Sequence, residues 1–246
     1  MNCIFISVRN SSTRLPDKAV LDLCGKPTIQ YLIENMMHSK CADKIILCTS
    51  EREEDDILCD IASRCGVEYF RGSLDDKLIR WRDACEKYNV DFFVNVDGDD
   101  LFFDVDLADI VFDQYENNPC EFIDGHGLYN DVYGIKTTAL NKVCEIKDSD
   151  STEYIRLYFT ETKMFHVEKI KTIPSKYIKR DIRMTLDYPK DFEFFEMVIK
   201  GLSSKPLTFD NVLEFIYNNP EIPQINFFLD QDWKINQEKI KHFKIK

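Results

Sequence analysis

With 246 residues, the chain is long enough for one α/β domain with a small appendage and short for two domains of equal size. Its net charge of −12 argues against nonspecific binding to DNA, RNA or an anionic membrane, because those partners need a basic face. A small anionic substrate remains compatible with this charge, since local cations decide its binding. The sequence contains no apolar run that approaches the roughly 20 residues of a membrane helix.

Apolar runs and helical spacings alternate along the first half of the chain. Strands are predicted at 3–8, 44–49, 67–70 and 91–96. Helices are predicted from about Pro27, around 57–62, after Ser73 and over 105–118. This alternation with short connections predicts right-handed βαβ units and a mostly parallel sheet between helical layers.

The alternation weakens in the second half of the chain. Short antiparallel strands are predicted at 122–123, 132–135 and 165–167, with short helices at 137–145 and 152–162. A strand is predicted to run into Asp187, followed by helices from Pro189 and over 212–217. The predicted fold class is therefore α/β, with a mostly parallel sheet and a small antiparallel region, in a single domain over 1–246.

Nine cysteines are scattered without a Cys-x-x-Cys pair, and the four histidines do not cluster with them in the sequence. Such spacing is typical of reduced, mostly buried thiols rather than of a zinc site or a disulfide framework. The first residues lack the charged and apolar regions of a signal peptide. We therefore expect a cytoplasmic protein.

A basic loop follows the first predicted strand. It carries three permanent cations, Arg9, Arg14 and Lys18, among small polar residues such as Ser12. The carboxyl ends of strands are where α/β sheets bind ligands, and fixed cations beside small side chains suit a triphosphate. It is not a Walker loop, because the G-x-x-x-x-G-K-[ST] pattern is absent. The alternative is a solvated basic loop.

An acidic turn follows the fourth predicted strand. Asp97, Asp99 and Asp100 surround Gly98, and such crowded carboxylates repel one another unless a cation neutralises them. Their hard oxygen atoms suit Mg²⁺ carried on phosphates. The alternative is an ordinary acidic turn in which glycine supplies a positive φ.

Two further blocks contain residues in positions to cap helices. Gly72 and Ser73 precede a predicted helix, and Ser73 is a good N-cap. Asp187 precedes the helix predicted from Pro189 and is also in a position to cap it.

These blocks resemble, in their order, those of the sugar cytidylyltransferases. The similarity is greatest to 3-deoxy-manno-octulosonate (KDO) and acylneuraminate cytidylyltransferases, and above all to their spore-coat polysaccharide relatives. It is carried by Val8-Arg9, Ser12-Thr13-Arg14-Leu15-Pro16-x-Lys18, Gly25-Lys26-Pro27, Gly72-Ser73-x-x-Asp76-x-Leu78-x-Arg80, Gly98-Asp99 and Arg183-x-Thr185-x-Asp187-x-Pro189-x-Asp191. The sequence departs from the usual family residues at Asp17, Lys77 and Leu101, where Gly, Val and Pro are common.

The resemblance implies a Rossmann-like, GT-A-like nucleotidyltransferase fold. The implied reaction transfers CMP from CTP to an acidic 2-keto-3-deoxy sugar with Mg²⁺, releases pyrophosphate and serves polysaccharide or lipopolysaccharide biosynthesis in a homodimer. The implied regions are a nucleotide-binding half at 1–120, an acceptor and dimerisation region at 121–180, and a metal-binding strand with C-terminal helices at 181–246.

The resemblance also implies roles for individual residues. Arg9, Arg14 and Lys18 would bind phosphate and stabilise charge, and Asp99 and Asp187 would hold Mg²⁺. The nucleotide-binding set is Arg9, Ser12, Arg14, Lys18, Gly72 and Ser73. Polar candidates for acceptor contact are Tyr133, Lys136, Glu153 and Arg156. For each of them, an ordinary position on the surface is the simpler interpretation. His126 is expected to be a loop residue.

Two other functions fit parts of the sequence. Asp97-Gly98-Asp99 is an Asp-x-Asp motif, which GT-A glycosyltransferases use to hold a metal-bound nucleotide sugar. The departures at Asp17 and Leu101 are compatible with an inactive nucleotide-binding subunit. Conversion of a nucleoside triphosphate to pyrophosphate separates nucleotidyl transfer from both.

Overall fold

The computed structural model describes residues 1–149, 154–178, 180–202, 205–231, 235 and 244–246. Its strands are β1 (Asn2–Ser7), β2 (Asp22–Leu23), β3 (Lys26–Pro27), β4 (Lys44–Ser50), β5 (Glu68–Gly72), β6 (Phe92–Asp97), β7 (Phe122–Gly125), β8 (Val132–Lys136) and β9 (Val167–Lys169). Seven of them form one sheet in the order β5-β4-β1-β6-β8-β7-β9, and β2 and β3 form a separate hairpin.

The α-helices in the described ranges are α1 (Thr28–Met36), α2 (Asp56–Cys65), α3 (Lys77–Tyr88), α4 (Val105–Asn117), α5 (Thr137–Ile146), α6 (Ile155–Thr160), α7 (Pro189–Gly201) and α8 (Phe209–Asn218). Local sequence sets several of their ends. Gly66 ends α2 with a φ of +77°, and Thr208 begins α8 by accepting a hydrogen bond from the Asn211 amide. None of the described helices is both long and apolar enough to cross a membrane.

The strand order reverses between β1 and β6. The chain runs outward from β1 to β4 and β5, and then returns through α3 to β6 on the other side of β1. Both neighbours of β1 are parallel to it, and Ser7 at the end of β1 pairs with Asp97 at the end of β6. The loops that leave these two strand ends therefore meet, at the position where open α/β sheets bind ligands.

Helices cover both faces of the sheet. Ile4 and Ile6 of β1 pack in a core with α1, α2, α4, α7 and α8, whereas Cys3 and Phe5 pack in a second core with α3, α5 and α6. Successive strand side chains point to opposite faces, so one continuous apolar run supplies both cores. The predicted three-layer α/β architecture is confirmed.

The predicted strands and helices of the first half are present with shifted ends. One cap was predicted wrongly, because α3 begins at Lys77 and its N-cap is Asp76, whose carboxylate accepts a hydrogen bond from the Ile79 amide at 3.1 Å. Ser73 instead accepts a hydrogen bond from the Asp76 amide at 3.2 Å. Ser73 therefore shapes the turn that leads into the helix.

The second half of the chain differs from the predicted strands at two places. β8 is antiparallel to β6 and β7 as expected, but β9 pairs with β7 in parallel. The strand predicted to run into Asp187 is absent from residues 182–187. Ile182, Met184 and Leu186 are buried alternately, which explains the strand-like pattern, yet they join the core without joining the sheet. A backbone hydrogen bond from Leu186 to the Asp99 carbonyl, 2.9 Å long, joins this segment to the acidic turn.

Asp17 has a φ of +55°, in the left-handed region that favours glycine. Its carbonyl oxygen accepts hydrogen bonds from the amides of Val20 and Leu21 at 2.8 and 3.2 Å. We expect Asp17→Gly to raise the free energy of unfolding by up to about 1 kcal/mol and Asp17→Ala to lower it. Urea denaturation of both variants tests this. A loss of stability with glycine would show that the carboxylate itself supports the turn.

Candidate active site

A cavity of about 1010 Å³ opens where β1 and β6 end. Its wall combines the first loop, the acidic turn, the loop between β7 and β8, the start of α6 and the segment before α7. The predicted site residues on this wall are Arg9, Ser12, Arg14, Lys18, Asp99 and Asp187. The fold thus brings together three sequence blocks that are far apart in the chain.

Lys18 joins the two carboxylates that were predicted to bind metal. Its Nζ donates hydrogen bonds to Asp99 Oδ2 and Asp187 Oδ1, each at 2.8 Å. Burial alone would lower the pKa of Lys18, but the two carboxylates outweigh burial and raise it, so the ammonium stays charged. Oxygen atoms from two separate loops are therefore close enough for a single cation to contact both.

The acids of the site have different electrostatic environments. Burial raises the pKa of Asp99, and Asp187 and Asp97 add to this rise against the opposing effect of Lys18. The pKa of Asp100 is raised well above its usual value by burial, with Asp99 the next largest cause. Burial also acts to raise the pKa of Asp187, but nearby cations, Lys18 foremost, lower it overall. Added positive charge would therefore relieve repulsion at the acidic turn.

A buried ion pair positions Asp187. Arg183 donates from Nε and Nη2 to the two carboxylate oxygens of Asp191 at 2.9 and 3.1 Å, and its Nη2 lies 3.4 Å from Asp187 Oδ2. Asp191 Oδ2 accepts hydrogen bonds from the amides of Asp187 and Tyr188, both at 2.9 Å. Asp191 therefore accepts the backbone hydrogen bonds of the turn that leads into α7. The Asp187 carboxylate is not needed for this capping and lines the cavity. The Arg-to-Asp spacing was visible in the sequence, but it did not reveal this positioning role.

The two arginines of the first loop point to different parts of the cavity. Arg14 Nη2 donates to Asp187 Oδ1 at 3.0 Å, and its guanidinium lies 5.1 Å from the centre of the Tyr188 ring. Arg9 Nη1 donates to the Leu74 carbonyl at 2.7 Å. Arg14 is thus beside the carboxylates, whereas Arg9 connects the first loop to the loop after β5.

Gly72 and Ser73 lie off the cavity wall, and their neighbour Leu74 lies on it. A Cβ at Gly72 would come within 2.7 Å of the Phe70 ring, so close packing accounts for the glycine. The Ser73 hydroxyl accepts the Asp76 amide. A role for Gly72 and Ser73 in nucleotide binding stays a prediction.

A second ion pair on the cavity wall was missed by sequence reasoning. Lys77 Nζ pairs with Asp97 Oδ1 and lies 5.0 Å from the centre of the Trp81 ring. The Asn95 amide donates to Asp97 Oδ1 at 3.4 Å, and the Ser7 hydroxyl donates to Asn95 Oδ1 at 3.0 Å. Lys77 was visible only as a departure from valine. Its partner lies on another element, so the pair could not be found from local spacing.

The part of the cavity wall formed by β8 and the start of α6, called the far wall, contains two of the four acceptor candidates, Tyr133 and Arg156. Arg156 donates from Nε to Asp124 Oδ1 at 2.9 Å, and its Nη2 lies 2.8 Å from Asp124 Oδ2. Lys136 is not on the wall, and Glu153 lies outside the described residues.

The donor set fits a magnesium ion that arrives with a nucleotide. Within the described ranges, no group of three His, Cys, Asp or Glu side chains is arranged to hold a metal by itself. Mg²⁺ is usually held by one or two carboxylates together with substrate phosphates and water. Asp99 and Asp187 form such a pair.

Known proteins resemble this chain over most of its length or over nearly half of it. It is 29% identical over 231 residues to the uncharacterized protein MJ1063 of Methanocaldococcus jannaschii, covering 90% of this chain and 92% of that protein. It is 23% identical to the spore coat polysaccharide biosynthesis protein SpsF of Bacillus subtilis, over 88% and 94% of the two chains. A 3-deoxy-manno-octulosonate cytidylyltransferase of Trichlorobacter lovleyi is 29% identical over 46% of this chain and 44% of its own.

Solved structures agree with these sequence relationships. A cytidylyltransferase from Leptospira borgpetersenii superposes with a TM-score of 0.81 at 27% identity, over 91% of this chain and 96% of that one. The CTP complex of CMP:2-keto-3-deoxy-manno-octonic acid synthetase superposes with a TM-score of 0.60 at 15% identity, over 81% and 98%, which shows a shared fold. A family model described as Cytidylyltransferase matches residues 3–231. The chain therefore belongs to the cytidylyltransferase family and is a nucleotidyltransferase.

Proposed function

We propose that this protein is a Mg²⁺-dependent enzyme that transfers CMP from CTP to an acidic sugar and releases pyrophosphate. The observation that carries the proposal is the meeting of Asp99 and Asp187 at Lys18, where Arg14 adds a second cation. This arrangement supplies oxygen ligands for a metal beside fixed cations for a triphosphate.

In this proposal, Asp99 and Asp187 would hold Mg²⁺, and the bound metal would supply positive charge beside the phosphates. Lys18 and Arg14 contact phosphate oxygens and stabilise the charge that develops on the α-phosphate and on the leaving pyrophosphate. Arg183 and Asp191 keep Asp187 in position. Positioning and electrostatic stabilisation carry most of the catalysis in phosphoryl transfer.

The far wall supports an acidic acceptor. Arg156 presents a guanidinium on the cavity wall while Asp124 fixes its orientation. A guanidinium is suited to a carboxylate, which an acidic sugar carries. The relatives named for KDO activation and for spore coat polysaccharide support a sugar acid destined for a surface polysaccharide or glycan.

We also propose a cytoplasmic homodimer. All nine cysteines lie in the described residues and are free thiols, which supports a reducing compartment. Size-exclusion chromatography with light scattering tests the dimer.

The reaction is tested by pyrophosphate release with Mg²⁺ across the four nucleoside triphosphates and a panel of acid sugars. We expect release that requires CTP and one acceptor, and that stops when the metal is chelated. Metal-dependent CTP binding without turnover would favour a binding subunit instead. Cleavage of a nucleotide sugar in preference to CTP would favour a glycosyltransferase.

A further inference from the structure

We propose that His126, oriented by Asp131, is the general base that removes the proton from the acceptor hydroxyl. This inference rests on the proposed function, because it assigns a step within the same transfer. It concerns a residue whose setting in the sequence indicated only a loop.

The geometry around His126 is that of an oriented base. Its Nδ1 lies 2.6 Å from Asp131 Oδ2, and the same carboxylate accepts hydrogen bonds from the Gly127 amide at 2.9 Å and the Tyr133 hydroxyl at 3.0 Å. Asp131 is thus fixed by groups on both sides. A carboxylate at Nδ1 keeps the proton on that nitrogen and leaves the Nε2 lone pair available to accept another.

The fold places this pair where β6 ends, in a loop that contacts the acidic turn. β8 is antiparallel to β6, and Asn95 pairs with Tyr133, so the loop before β8 lies at the carboxyl end of β6. In that loop the Asn130 side chain faces the Asp100 carboxyl. His126 lies on the cavity wall with its side chain 57% exposed. Within the described residues, no hydrogen bond is made by His126 Nε2.

The charges that face His126 favour a base that works near neutral pH. The hydrogen bond to Asp131 raises the pKa of His126, with Asp124 adding to the rise, while burial and Arg156 oppose it. For Asp131, burial acts to raise the pKa, but His126, Gly127 and Tyr133 lower it overall, so the carboxylate stays ionised. His126 is therefore neutral only above a pKa higher than the usual value of about 6.5.

The proposed step exchanges one bond at phosphorus and moves one proton. The acceptor oxygen forms a bond to the α-phosphorus of CTP while the bond from that phosphorus to the pyrophosphate oxygen breaks. The hydroxyl proton moves to His126 Nε2, and the imidazolium then releases it to solvent. General bases of this kind contribute on the order of 10²–10⁴-fold to a rate.

The test compares His126→Gln with wild type, and uses His166→Gln as a matched control. His166 pairs with Glu168 at 3.1 Å and is not on the cavity wall. We expect His126→Gln to lower kcat by about 10²-fold or more, with little change in KM for CTP or the acceptor. The wild-type kcat should fall as the pH drops through the raised pKa of His126, and the variant should lose that acid limb. His166→Gln should keep both the rate and the profile.

Three results would overturn the inference. They are a His126→Gln variant with wild-type kcat, a variant that changes only the acceptor KM, and a variant that retains the acid limb. In each of these cases CTP turnover by the wild type would leave the proposed function intact. Nitrogen-15 NMR of the His126 ring needs no turnover, and a neutral ring protonated on Nε2 would also overturn the assignment.

Discussion

Replacing Asp187 with asparagine should lower pyrophosphate release from CTP on the order of 10²–10³-fold. The amide preserves the shape of the side chain but removes the charge that contacts both Lys18 and Arg14, at 2.8 and 3.0 Å. It also removes one of the two proposed magnesium ligands. The measurement is the rate of pyrophosphate release with saturating CTP, Mg²⁺ and acceptor.

Asp17→Asn is the matched control for this loss. Asp17 is an exposed acid in the first loop, does not line the cavity, and has a backbone conformation that asparagine also tolerates. Its variant should keep the wild-type rate, and circular dichroism should show both variants folded. A near-wild-type rate for Asp187→Asn would mean that Asp187 is not a metal ligand.

Replacing the Arg183 guanidinium with an uncharged side chain, Arg183→Met, should lower the free energy of unfolding by about 3–5 kcal/mol. Arg183 and Asp191 have side-chain exposures of 1% and 0%, so the substitution leaves a carboxylate buried without its charged partner. Asp191 also accepts hydrogen bonds from two backbone amides directly before α7. Disturbing its carboxylate should therefore destabilise the start of that helix as well. Urea denaturation followed by circular dichroism measures the loss.

Lys190→Met provides the comparison at the surface. Lys190 pairs with Glu193 in the first turns of α7, and the two side chains are 51% and 52% exposed. Exposed pairs contribute about 0–1 kcal/mol, so this variant should unfold nearly as wild type does. If both variants lost the same small amount, the pair at Arg183 would not be the structural support that its burial indicates.

Parts of the fold could be read from the sequence because buried parallel strands leave a strong local pattern. Cys3 to Val8 is one apolar run, and the structure has β1 at Asn2–Ser7. The strand predicted before Asp187 was wrong, because alternate burial of Ile182, Met184 and Leu186 does not reveal whether a neighbouring strand is present. The parallel pairing of β9 likewise depends on a distant partner.

The sequence indicated several residues that gather at the cavity, but not how their side chains pair. Lys18, Asp99 and Asp187 were each assigned from their own blocks, and the structure joins them through one ammonium group. The role of Asp191 depends on contacts with Arg183 and with two backbone amides. No local spacing specifies such contacts.

The ammonium group of Lys18 has a consequence for the thermodynamics of ligand binding. It offsets part of the negative charge of Asp99 and Asp187, which lie 81 and 169 residues away along the chain. In the proposed function, a triphosphate that attracts this ammonium would weaken its hold on the carboxylates, and a divalent cation held by the carboxylates would leave the ammonium available to the triphosphate. Each ligand would therefore raise the affinity of the other by the same factor, as linkage requires. Nucleotide and metal should bind with positive cooperativity, because each would replace one side of the salt bridge between Lys18 and the two carboxylates.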